Sequence, residues 1–155
     1  MWDGAHIDED ALAVNGFKEE EIKDKTKKSE GDLVAEFLKW AKEDHMIAGH
    51  NPSFDRDFLR HAAMRAHLNW PFAHRTIDSH SVCWTHMTLQ KIKPPMKNQR
   101  SALDLDAVLV YCGLPEEPNP HNALVGAQME AEGFSRLLDN KKLLEEFEKY
   151  EIPWV

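Results

Sequence analysis

The sequence predicts an α/β fold that is rich in helix. Two short segments near residues 46–50 and 74–78 read as strands, and apolar residues recur at helical spacing through most of the remaining chain. The chain has 155 residues, of which 42% are hydrophobic and 30% charged, and this is enough to build a core without disulfides or metals. We therefore expect a single domain over residues 1–155 in which helices pack around a reduced sheet.

The first third of the chain predicts two helices separated by a charged surface loop. Residues 8–16 read as a short helix that ends at Gly16, and residues 18–28 are dominated by charges. Ser29 and Asp32 have the spacing of a capping box at the start of the next helix. Four apolar residues then define the face that we expect this helix to bury. They are Leu33, Phe37, Trp40 and Ala41.

The central stretch predicts a buried strand that runs through a polar turn into a helix. The turn is His50-Asn51-Pro52, and Ser53 is a plausible N-cap for a helix that extends to about Leu68. We expect the helix to bury Phe54, Phe58, Leu59 and Ala62. Asp55 then lies in the first helical turn at the carboxyl end of the strand, where α/β proteins place their sites. The simpler interpretation is an acid that offsets the helix dipole.

The second half predicts a weak strand at residues 74–78 followed by helices. Asp78 is expected to bond the start of the helix over residues 82–92, and only remotely to be a metal ligand. The next loop, residues 93–100, carries Lys93, Lys97 and Arg100, which either contact phosphate or are simply solvated. Further helices are predicted over residues 101–112 and after His121, and residues 141–155 as a tail helix. The long helix is expected to keep one apolar side, formed by Leu124, Ala127, Ala131, Phe134 and Leu138.

Composition limits the classes of function. The net charge of −8 argues against a protein that coats nucleic acid through long-range attraction, although it does not exclude a nuclease whose carboxylates hold cations. No apolar run is long enough to cross a bilayer, and no secretory signal is evident. Cys83 and Cys112 lack the spacing of a zinc site, so we expect reduced thiols in a cytoplasmic protein.

Two motifs resemble those of the DEDDh family, the DnaQ-like 3′-to-5′ exonucleases with a ribonuclease H-like fold. His50-Asn51-x-x-Phe54-Asp55-x-x-Phe58-Leu59 resembles the second motif of that family. Residues 120–127 resemble its third motif, His-x-Ala-Leu-x-Asp-Ala, with Gly126 where the family has its metal-binding aspartate. The first motif, Asp-x-Glu on an opening strand, is missing upstream of residue 46. The resemblance therefore implies a ribonuclease H-like fold that lacks the first strands of the sheet.

The resemblance also implies a set of site residues. Asp55 corresponds to a ligand of Mg²⁺ or Mn²⁺, cations that prefer oxygen ligands. His121 corresponds to the general base that takes a proton from the attacking water. His50, Asn51 and Phe54 are expected to bind substrate, although Phe54 fits core packing equally well.

The glycine in the third motif leads to one further hypothesis. Glu130 follows Gly126 by one helical turn and so lies on the same helical face. We hypothesise that Glu130 reaches across the space left by the missing side chain and binds metal in place of the aspartate. The alternative is an exposed glutamate on a polar face.

The function implied by these motifs is a metal-dependent 3′-to-5′ exonuclease that acts on single-stranded or 3′-end DNA or RNA. Because one motif is missing and another lacks its aspartate, we expect weak or absent activity. The alternative is a non-catalytic nucleic-acid-binding or scaffold module that keeps the fold. A homodimer or a polymerase-type partner is expected to cover exposed sheet edges. The exonuclease interpretation requires Asp55 and His121 to face a common cleft.

Overall fold

The structure, a computed structural model, describes residues 6–41 and 45–155. The chain forms two compact units. The first comprises Met1–Ile47 and Ser53–Thr76, and the second comprises Ala48–Pro52 and Ile77–Val155. Whether the two units form the single domain predicted over residues 1–155 depends on how they pack together. The single domain therefore stays a prediction.

Helices account for most of the regular structure in the described residues. The helices are α1 (Glu9–Asn15), α2 (Glu19–Ile22), α3 (Glu30–Trp40), α4 (Pro52–Arg65), α5 (Ser79–Leu89), α6 (Leu105–Tyr111) and α7 (Ala123–Asp139). The strands are β1 (Ile47–Gly49), β2 (Thr76–Asp78), β3 (Met96–Lys97) and β4 (Arg100–Ser101). β1 and β2 form one two-stranded sheet, and β3 and β4 form another. Both predicted strands are present, and the helix-rich α/β class is confirmed.

In the first unit, α3 and α4 pack through small residues. A Cβ added at Gly31 would lie 3.1 Å from Cβ of Ala66, so the two helices approach closely there. Val34, Ala62 and Ala63 are buried, with larger apolar residues partly covering them. At one end of this contact Arg65 pairs with Glu30 at 2.7 Å.

The predicted buried faces of α3 and α4 are only partly correct. Leu33 and Trp40 are exposed, and Phe54 and Phe58 are 59% and 62% exposed. Ala62, which was predicted on the same face, is buried, and Leu59 packs against the cluster that Ala62 forms with Val34 and Ala63. Hydrophobic spacing therefore predicted the buried residues in the second half of α4 and failed for the aromatic residues near its start.

The predicted basic loop contains a short antiparallel hairpin. Met96 pairs with Ser101 and Lys97 with Arg100. Asn98 and Gln99 form the connection with φ values of 50° and 62°, a left-handed pair that suits a two-residue hairpin turn. The hairpin holds the Lys97 and Arg100 backbones opposite each other.

The core of the second unit lies among α5, α6 and α7. Cys83, Leu109, Cys112 and Met129 are at its centre, and residues of the C-terminal segment close it. α7 also buries Glu132 and Arg136 completely, and their side chains form an ion pair of 2.7 Å. The core therefore has a charged pair among its apolar side chains.

The tail helix predicted over residues 141–155 is wrong. The segment has only a 3₁₀ turn at Glu145–Phe147. Short-range backbone hydrogen bonds such as Phe147 N–H to the Leu144 carbonyl are present, but several of its N–H and C=O groups bond the buried pair. Glu132 Oε2 accepts hydrogen bonds from the amides of Leu143 and Leu144, at 2.8 and 2.9 Å. Arg136 donates to the carbonyls of four residues: Cys112, Phe147, Tyr150 and Glu151.

Candidate functional site

The turn after β1 is held by a carboxylate from α7. The backbone N–H of His50 donates to Glu130 Oε2 at 3.0 Å. A Cβ added at Gly49 would lie only 2.6 Å from the same oxygen, so the glycine lets the carboxylate approach the chain. Asn51 follows with φ of 53°, a conformation that asparagine tolerates better than most residues. Gly49, Asn51 and the Glu130 carboxylate therefore together determine the backbone conformation of this turn.

The side chain of His50 is half-buried beside the start of α5. Its Nδ1 lies 3.1 Å from Oγ of the buried Ser79. Burial lowers the pKa of His50, and the nearby carboxylate of Asp78 partly opposes this effect. These surroundings favour the neutral imidazole, which forms a hydrogen bond with the Ser79 hydroxyl.

Asp78 has the architectural role expected of it. It is the N-cap of α5, and its Oδ1 accepts a hydrogen bond from the His80 amide at 3.0 Å. The Asn51 amide also points to Oδ1, at 3.4 Å. Asp78 therefore connects the turn after β1 to the start of α5.

In the first unit, Asp55 and Phe54 both lie in the first turn of α4 and are exposed. The helix begins at Pro52, one residue before the predicted N-cap Ser53, and proline suits this first position. The ring of Phe54 packs against that of Phe58 with centroids 4.6 Å apart. The pair forms an exposed aromatic surface that borders a groove with His61.

In the second unit, His121 lies immediately before the cap of α7. Asn122 is the N-cap, and its Oδ1 accepts hydrogen bonds from the amides of Leu124 and Val125. The His121 side chain is 47% exposed, and its Nδ1 lies 3.4 Å from Glu117 Oε2. The imidazole is thus accessible to solvent while one edge faces a carboxylate.

Glu117 was not among the residues that the sequence singled out. Its side chain is only 15% exposed, and its backbone N–H donates to Asp106 Oδ1 at 3.0 Å. A Cβ added at Gly126 would lie 2.5 Å from Glu117 Oε1. The space beside Gly126 therefore holds Glu117, whereas Glu130 bonds the His50 amide. As a metal ligand, Glu130 stays a prediction.

No local signal in the sequence distinguishes Glu117 from its neighbour Glu116, since both lie in a proline-rich linker without periodicity. Only the fold of this linker against α7 brings the carboxylate to Gly126.

A comparison with protein families decides the relationship. The model of the exonuclease family, RNase_T, matches residues 3–134. The chain belongs to the exonuclease family. This membership confirms the DEDDh resemblance and the ribonuclease H-like α/β fold class, and it implies a nuclease that acts on nucleic acid. Neither the curated proteins nor the solved structures include a significant match.

Exonucleases of this family typically use divalent metals, so a site for such an ion is expected in this chain. Across residues 6–41 and 45–155, no group of three His, Cys, Asp or Glu side chains has the arrangement of a metal site. Mg²⁺ nevertheless binds proteins through one or two carboxylates while keeping several waters. The Glu117 carboxylate beside His121 has donor chemistry that fits this mode of binding.

Asp55 belongs to the first unit and His121 to the second, so their common cleft stays a prediction. In the part of the chain that the structure describes, every helix is too short or too polar to be a membrane span.

Proposed function

We propose that this chain is a metal-dependent 3′-to-5′ exonuclease that acts on DNA or RNA ends. The observation that carries the proposal is His121, which stands at the third-motif position, is accessible, and has a carboxylate against its Nδ1 edge. Membership of the exonuclease family supports the same reaction class. A cytoplasmic location and a homodimer or polymerase-type partner stay predictions.

His121 is the proposed general base. With Nδ1 directed to Glu117, Nε2 is the nitrogen left to accept a proton from the attacking water. When bound, Mg²⁺ or Mn²⁺ would neutralise charge on the phosphate and lower the pKa of water at the site. Asp55 is the proposed ligand on α4. Glu130 remains a candidate, although its Oε2 already accepts a hydrogen bond from the His50 amide.

Substrate binding is proposed for groups within each unit. Phe54, with its ring exposed beside Phe58, offers a surface on which a terminal base stacks. His50 and Asn51 offer polar groups at the turn after β1 for the end of the strand. Lys97 and Arg100 on the hairpin are exposed cations that suit the phosphate backbone.

The test is the shortening of 5′-labelled single-stranded DNA and RNA in Mg²⁺, in Mn²⁺ and in chelator. We expect weak, cation-dependent trimming from the 3′ end, since Gly126 replaces the aspartate of the third motif. A general base contributes roughly 10²- to 10⁴-fold to rate, so His121→Ala should abolish measurable trimming. His74→Ala, at an exposed position of the first unit, is the matched control and should trim like the parent.

Two results would refute this function. One is an absence of shortening with either cation, which would leave the non-catalytic binding module as the better interpretation. The other is trimming that His121→Ala retains in full, because the proposed base would then have no role.

A further inference from the structure

The side chain of Glu117 lies against Gly126 at the start of α7. Glycine inside a helix costs up to about 1 kcal/mol relative to alanine, so a buried glycine in this position calls for a packing reason. The structure supplies one, because any side chain at 126 would begin 2.5 Å from Glu117 Oε1. The Glu117 carboxylate therefore occupies the space that a side chain at 126 would fill.

The surrounding chain holds the Glu117 carboxylate beside Gly126. Glu117 lies between Pro115 and Pro118, and its backbone N–H is bonded to Asp106 on α6. Its side chain is 15% exposed, whereas the adjacent Glu116 is exposed to solvent. The linker thus directs one of two neighbouring glutamates inward, against α7 and His121.

We propose that Glu117 supplies, from the linker between α6 and α7, the carboxylate that the third motif of the family carries at the position of Gly126. Its role is that of a ligand for a divalent cation beside His121. This inference rests on the proposed function. It assigns the carboxylate that the third motif lacks to a residue of the linker.

A competing role for Glu117 is purely structural. A carboxylate at a helix N-terminus offsets the partial positive charge of the helix dipole, and such a contact affects stability without requiring a cation. The two roles differ in one measurable property. A ligand changes cation affinity when its charge is removed, whereas a dipole partner changes only the stability of the fold.

The first experiment measures Mn²⁺ binding by electron paramagnetic resonance, without nucleic acid, on the whole chain. Glu117→Gln keeps the shape of the side chain and removes its charge, and Glu116→Gln is the matched control in the same linker. We expect Glu117→Gln to weaken Mn²⁺ binding by about tenfold or more, the effect that lost metal-site contacts typically have. Glu116→Gln should bind like the parent. Equal affinities for the two variants, or a parent that does not bind Mn²⁺, would overturn the proposal.

A second experiment returns the carboxylate to α7. Glu117→Ala removes the carboxylate and opens the space beside Gly126, and Gly126→Asp in that background restores an acid from the helix. We expect the double variant to bind Mn²⁺ more tightly than Glu117→Ala alone. Gly126→Asp by itself should displace the flexible end of the Glu117 side chain, because its Cβ would lie 2.5 Å from Oε1. A double variant no better than Glu117→Ala would contradict the inference.

These measurements separate the two proposals. Mn²⁺ binding that depends on Glu117 in a chain that trims no ends refutes the nuclease function alone. Trimming that depends on His121 in a chain where Glu117→Gln binds Mn²⁺ like the parent refutes only the inference.

Discussion

Cys83 and Cys112 are fully buried in the second unit, and their thiols are free. Burial raises the pKa of Cys83 to about 11 and that of Cys112 to about 12. Since the thiolate is the reactive form, both thiols should be inert in the native protein at pH 8 and should react with Ellman's reagent only on unfolding. Full reaction of both in denaturant is the control. Rapid labelling of the native chain would contradict the buried environment.

His86 is a second residue whose surroundings change its chemistry. Its Nδ1 lies 2.8 Å from the Tyr111 hydroxyl, and its ring contacts Trp154. Burial lowers the pKa of His86 below its ordinary value of 6.5. The folded state thus favours the neutral ring. The unfolded state binds more protons as the pH falls below about 6.5, so acidification should reduce the free energy of unfolding.

We expect this loss to appear between about pH 7 and pH 5 in urea unfolding curves. His50, whose pKa is also lowered by burial, should contribute in the same direction. His86→Gln, which cannot become charged, should show a shallower pH dependence than the parent. His74→Gln, at an exposed position, should match the parent. If the free energy of unfolding depends on pH equally in the parent and in His86→Gln, then burial does not lower the pKa of His86.

At the scale of elements, the Glu132 and Arg136 pair joins α7 to the C-terminal segment. Both side chains are fully buried, and each bonds the tail backbone in addition to the other. Removing one member leaves the other charge buried without its partner, a change that costs about 3–5 kcal/mol. Arg136→Met should therefore lower the free energy of unfolding by this amount, as measured by urea denaturation with tryptophan fluorescence.

The exposed pair of Lys28 and Glu36 is the control for this prediction. Its two side chains are 59% and 55% exposed at 2.7 Å separation, and such pairs contribute at most about 1 kcal/mol. Lys28→Met should accordingly have little effect. Comparable losses for Lys28→Met and Arg136→Met would mean that the buried pair does not hold the tail.

For the whole molecule, the net charge of −8 sets the conditions under which nucleic acid binds. Long-range repulsion of phosphates makes local cations decisive, and Lys97 and Arg100 are exposed on the hairpin. Each phosphate contact to a single strand contributes about 0.7 to the slope of log affinity against log salt. Replacing both residues by Gln should weaken binding of single-stranded DNA and reduce that slope by about 1.4.

Fluorescence anisotropy over a range of salt concentrations measures this effect. Lys25→Gln combined with Lys27→Gln removes the same charge from another exposed segment and is the matched control. If both double variants change the slope equally, binding depends on overall charge, and the hairpin has no particular role.

The starts and ends of many elements could be predicted because their signals are local. Ser29 and Asp32 form the capping box expected for α3, and Gly16 ends α1 in the left-handed conformation. β1 and β2 are present within the predicted segments 46–50 and 74–78. Such signals act within one or two turns of the chain, so the sequence alone contains them.

The buried faces of the helices were not predictable by the same means. In α7, Leu124 and Leu138 are 69% and 61% exposed, although the apolar pattern placed them inside. The buried face contains the charged pair Glu132 and Arg136 instead, because the tail backbone supplies their partners. Helical periodicity predicts that charged residues are exposed. It does not include hydrogen-bond partners that a distant segment of the chain supplies.

What the sequence determined by itself is the family, since the spacing of residues 50–59 and 120–127 is a property of the chain, and the family comparison confirms the relationship. Only the tertiary structure decided that Glu117 occupies the space beside Gly126. The physical reason is that this contact depends on how the linker folds against α7. A motif records which residues follow one another, whereas a site depends on which atoms meet in space.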